Sequence, residues 1–131
     1  MTKKTHKSKL DKIVESVESD SFTPTLIDCH KWFNILNREL FNDELPPVDE
    51  MDIRWRRQAY AYYVFEDNEN SKDYGCTKIA INKEYKSKKF FVECLAHEMV
   101  HHWQFINGKK VNHGKVFKSW DRKLKQKGIK I

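Results

Sequence analysis

Cysteine is scarce in this chain, and no long apolar run interrupts its 131 residues. The three cysteines (Cys29, Cys76 and Cys94) are odd in number and widely spaced. That pattern argues against a disulfide framework and for a reducing compartment. No Cys-x-x-Cys pair is present, which excludes a zinc ribbon or finger. No segment approaches the ~20 apolar residues needed to span a bilayer, so neither a transmembrane protein nor a membrane partner is expected. The opening Met-Thr-Lys-Lys-Thr-His-Lys leads into no apolar stretch and is not a secretory signal. The expected location is therefore cytoplasmic. Internal repeats are also absent.

What remains suits one compact domain. At this length a single core buries roughly two thirds of the extended-chain surface. The formal net charge of +6 is unevenly spread. Residues 1–12 carry a local +4 and residues 106–131 a local +8, while the middle is −6. An acidic body with two lysine-rich ends is the better description. Basic ends attract polyanions through counterion release, which makes DNA a candidate partner, although a solvated, solubilising surface explains the same charge.

Residues 1–21 read as a flexible basic arm with a weakly amphipathic stretch at Leu10, Ile13, Val14 and Val17. Thr23-Pro24 reads as a helix N-cap followed by Pro at the first helical position. Leu26, Cys29, Phe33, Leu36 and Leu40 then recur at helical spacing, predicting a helix over 24–41. Asn42-Asp43 and Pro46-Pro47 end it. Three strand-like stretches follow: around Ile53 and Trp55, from Ala59 to Phe65, and around Thr77, Ile79 and Ile81. The polar segment Glu66 to Asp73 between the last two reads as a hairpin loop, and one antiparallel sheet is expected. A second helix runs from about Lys88 to Ile106 and stops at Asn107-Gly108. A third spans about 114–127, with Phe117, Trp120 and Leu124 on one stripe and lysines on the other. The domain proper is thus residues 22–127, with a short tail at 128–131. Its expected class is α+β, a small three-stranded sheet packed on the second helix with flanking helices.

That second helix contains His97-Glu98-Met99-Val100-His101. At about 100° per residue, histidines four apart project from nearly one face and can share a tetrahedral ion. Glu98 stands one position round, within reach of solvent at such an ion. A catalytic zinc normally takes a third protein ligand. Candidates are His102, His113 and Asp121. His102 lies ~100° away from His101 on the same helix and reads better as a buried or capping histidine. His113 is best placed, in the turn Asn112-His113-Gly114 just before the last helix. Cys94, one turn before His97, reads as a small buried hydrophobe. Trp103, Phe105, Phe117 and Trp120 read as core. Tyr60, Tyr62 and Tyr63, near Arg54, Arg56 and Arg57, read as core or cross-strand aromatics rather than base-stacking platforms.

The string His-Glu-Met-Val-His-His-Trp-Gln, followed twelve residues after its second His by Asn-His-Gly-Lys-Val-Phe, resembles the SprT-like zinc metallopeptidase domain. Spartan-type proteases of DNA–protein crosslinks belong to the same group. Upstream, Leu36-Asn37-Arg38-Glu39-Leu40-Phe41, then Leu45-Pro46, then Gly75 to Asn82 as G-x-x-x-I-x-x-N, agree with it. The resemblance covers about residues 24–120. It implies His97, His101 and His113 as zinc ligands, Glu98 as general base, and a protein or peptide substrate. An exposed strand, Thr77–Asn82, is expected to bind that substrate in extended form. The cysteine ribbon of longer relatives is missing, so the resemblance speaks for the catalytic domain more than for crosslink repair. The metzincin pattern is absent too, since Gln104 and Asn107 occupy its diagnostic Gly and His positions. The alternative, from another class, is a nucleic-acid-binding protein whose zinc is structural or whose catalysis is vestigial.

Overall fold

The computed structural model describes residues 21–55, 57 and 59–131. The basic arm expected over 1–21, with its amphipathic stretch, lies outside these residues apart from Ser21. Helix α1 (Leu26–Phe41) starts two residues later than Thr23-Pro24 suggested. Thr25 is the cap, because it forms a reciprocal box with Asp28. The Asp28 amide donates to Thr25 Oγ1 at 3.1 Å, and the Thr25 amide donates to Asp28 Oδ2 at 2.9 Å. Thr23 has no acidic partner three residues on. The helix ends where Asn42 and Asp43 take left-handed φ values of 54° and 60°. Its stripe Cys29, Trp32, Phe33, Leu36 and Leu40 is buried, as the spacing requires.

Strands β1 (Glu50–Ile53), β2 (Ala61–Phe65) and β3 (Thr77–Ile81) form a sheet in the order β1-β3-β2. The domain is α+β, but the sheet is mixed rather than antiparallel. β3 pairs antiparallel with β2 (Ala61 opposite Ile81, Phe65 opposite Thr77) and parallel with β1 (Met51 opposite Ile79). The physical reason lies in β3 itself. It is the most buried strand, with Ile79, Ala80 and Ile81 all inside, and it takes the centre between two half-exposed strands. A central strand has both edges hydrogen-bonded. Thr77–Ile81 is therefore not the exposed strand that an extended substrate needs. The 66–76 hairpin forms as expected, closed by the Gly75 amide on the Glu66 carbonyl at 2.8 Å. Trp55 lies beyond the end of β1 and is exposed.

Helix α2 (Lys88–Ile106) begins at Ser87, whose Oγ accepts from the Phe90 amide at 3.0 Å. It packs against the sheet on one side and against α1 and α3 on others. Phe91, Val92, Leu95, Ala96, Met99 and Val100 join the α1 stripe, Ile79 and Ile81 in one core. Helix α3 (Lys115–Gln126) buries Phe117 and Leu124. The chain beyond it stays attached, because Ile129 is fully buried. Among the described residues, no helix is long and apolar enough to cross a membrane.

Candidate metal centre

The centre is assembled from one helix and the turn that follows it. α2 projects His97 and His101 from adjacent turns of one face. The helix then stops in a Schellman motif. Gly108 adopts φ 68°, its amide donates to the Phe105 carbonyl at 3.2 Å, and the Lys109 amide donates to the Gln104 carbonyl at 2.8 Å. The chain reverses and delivers His113 back onto that face. Gly114 caps α3 and donates its amide to Asn112 Oδ1 at 3.0 Å, and a Cβ at Gly114 would stand only 3.0 Å from the same oxygen. A side chain there would push on Asn112, the neighbour of His113.

The three imidazoles converge. His97 Nε2 and His101 Nε2 each lie 3.1 Å from His113 Nε2. Among the described residues, these three supply a group of donor atoms all within 4.8 Å of one another. The outer nitrogens decide the protonation. His97 Nδ1 donates to the backbone oxygen of Ile131 at 3.0 Å, and His101 Nδ1 donates to Gln104 Oε1 at 2.9 Å. Because both partners are acceptors, each of these rings carries its proton on Nδ1 and presents a bare lone pair at Nε2. His113 Nε2 can hold at most one proton, so it cannot satisfy both neighbours. Two donors held ~2.0–2.1 Å from a tetrahedral ion stand roughly 3.3 Å apart, close to the spacing found. The cluster fits a cation. Burial lowers the pKa of His97 and of His101, which favours the neutral, ligating form. Phe117 packs beneath all three rings, with centroids 4.6–5.1 Å away.

Glu98 faces the same space. Its Oε2 is 4.0 Å from His97 Nε2, and its residue exposure is 7%. Burial alone pushes its carboxyl pKa up to about 7. Beside it opens a cleft of about 230 Å³, lined chiefly by Tyr60, Ala61, Phe90, Cys94, His97 and Glu98.

The SprT-like family pattern matches residues 29–131, from α1 through the histidine turn to the end of the sequence. The chain belongs to the SprT-like family. No curated protein gives a match to it. Family membership and the histidine triad together fit a metallopeptidase-like domain.

The other candidates of this SprT-like chain fall elsewhere. His102 is fully buried on another side of α2; its Nε2 donates to the Pro46 carbonyl and its Nδ1 accepts from the Tyr63 hydroxyl, each at 2.8 Å. Asp121 pairs with Lys125 at 3.7 Å and stands outside the triad. Cys94 lines the cleft, where burial pushes its thiol up to about 12 and keeps it neutral. Tyr63 is tied to His102 and lies against Phe65 and Phe105, so it is no base-stacking platform. Trp103 packs on Trp120 with centroids 5.3 Å apart. Sequence reasoning missed the role of Gln104. Its position three after His101 places it on the same helical face, and that spacing was the available signal.

Proposed function

We propose that this SprT-like domain is a zinc-dependent endopeptidase. The observation that supports it most is the convergence of three Nε2 atoms, two of them with their protons fixed on the far side of the ring. Three imidazoles suit zinc, leaving one position open in a tetrahedral site. His97, His101 and His113 would hold the ion. When bound, zinc supplies a Lewis acid that makes water a nucleophile near neutral pH and polarises a peptide carbonyl.

The chain's own residues do the rest. Glu98 is the general base: its Oε2 takes a proton from the attacking water and returns it to the leaving amine. Burial raises the pKa of this carboxyl in the metal-free chain, and a cation held by the neighbouring histidines would favour its ionised, proton-accepting form. Substrate binds in extended form along β2. Among the described residues β2 pairs on one side only, with β3, and Ala61 at its start lines the cleft beside Glu98. Strand addition there lays a peptide backbone across the site.

The substrates are proteins held on DNA. Exposed Lys115, Lys118, Arg122, Lys123 and Lys125 on α3, the helix that follows His113, support this, since such a face binds phosphates in a salt-dependent way. The test is cleavage of an unstructured protein by zinc-loaded chain, with and without single-stranded DNA. Cleavage that disappears in Glu98→Gln while zinc is retained is the expected result. Salt-sensitive DNA binding without cleavage would instead favour a nucleic-acid-binding protein whose zinc is structural.

A further inference from the structure

We infer that Gln104 is a positioning residue that fixes both the ring orientation and tautomer of His101 and the place of His113. The inference rests on the zinc site proposed above. Gln104 has no exposed surface, and a buried amide must satisfy both its ends. Its Nε2 donates to the Asn112 carbonyl at 3.0 Å. A carbonyl can only accept, which fixes the amide's orientation and leaves Oε1 facing His101. His101 Nδ1 donates to that oxygen at 2.9 Å. One side chain thus holds one imidazole directly and the residue preceding another.

Its main chain reinforces the same link. The Gln104 carbonyl accepts from Lys109, where the helix ends, so the 107–113 reversal is tied to Gln104 at its beginning and at its end. Two anchors on one residue restrict the path that so short a reversal can take. The hydrogen bond to Oε1 also keeps the His101 proton off Nε2, the atom that faces His97 and His113.

The experiment compares wild type, Gln104→Leu and Gln104→Glu. Leucine fills similar space but offers neither hydrogen bond, whereas glutamate keeps an acceptor for His101 and loses the donor for Asn112. Zinc affinity is read by chelator competition, the ligand geometry by the visible spectrum of the cobalt-substituted chain, and folding by circular dichroism. Gln104→Leu should weaken zinc binding roughly 10–100-fold and alter the cobalt spectrum. Gln104→Glu should recover part of the affinity. A folded Gln104→Leu chain that binds zinc within about threefold of wild type overturns the inference, being well short of the loss expected for a ligand-orienting contact. A second measurement stands without the variants. Nitrogen-15 NMR of the metal-free wild type should show His101 as the Nδ1–H tautomer, and an Nε2–H tautomer overturns the inference even if Gln104→Leu fails to fold. Wild-type chain that takes up no zinc contradicts the proposed function instead, and the tautomer still reports on the Gln104 contact.

Discussion

Tyr63 and His102 are joined by a 2.8 Å hydrogen bond that runs from β2 into the helix carrying the metal-centre histidines. Because His102 Nε2 must donate to the Pro46 carbonyl, its Nδ1 is the acceptor and Tyr63 the donor. This fully buried imidazole links α2, the sheet and the loop after α1. That loop is itself held by Asn37, whose side chain bonds both the amide and the carbonyl of Leu45. The histidine next to a candidate ligand is therefore a structural pin.

Tyr63→Phe removes the donor and leaves a buried nitrogen unpaired. The expected cost is about 1–3 kcal/mol of stability, with zinc affinity unchanged. Urea denaturation alongside chelator competition checks both halves. A loss of zinc affinity with unchanged stability would assign His102 to the metal centre.

Glu98 gives a pH-dependent prediction for the metal-free chain. Its folded pKa of about 7 lies above the ordinary 4.5, so at pH 4 both folded and unfolded states hold the proton and nothing is lost. As pH rises from 4.5 through 7 the unfolded carboxyl ionises first, and stability falls. Glu98→Gln removes that penalty. The variant should be more stable than wild type at pH 8 by a few kcal/mol, on the order of 3, and nearly equal at pH 4. The buried histidines act with the opposite sign, since lowered pKa values favour unfolding as pH drops below 6.5. They are common to both chains and cancel in the comparison. Equal stabilities at pH 8 would show that Glu98 is not desolvated.

Phe117 supports the three rings from α3 while belonging to the core. Phe117→Ala should cost about 3–5 kcal/mol and lower zinc affinity as well. Thermal unfolding with and without zinc measures both effects. A destabilised chain with wild-type zinc affinity would confine Phe117 to packing.

The elements that sequence revealed are those whose signal is local. Helical spacing marked α1 and α2, Asn107-Gly108 marked the stop, and the turn at His113 was readable because a reversal there returns the chain to the helix. Pairing partners were not readable. Alternation at Ile79 and Ile81 identifies a strand but not its neighbours, so the parallel partnership with β1 and the central place of β3 emerged only from the structure. Thr25 displaced Thr23 as cap because a box with Asp28 satisfies two amides where Pro at the first position satisfies none. Residues 128–131 read as a tail, yet Ile129 is buried and the Ile131 oxygen holds His97. Such contacts depend on tertiary closure, which no local pattern encodes.

The most direct measurement is the zinc content of purified chain by elemental analysis, taken with His113→Ala. One zinc per wild-type chain is predicted, with affinity falling by more than about 100-fold when His113 is lost, beyond the range for residues that only support a ligand. Zinc bound equally well without His113, or no zinc at all, would contradict the three-histidine centre.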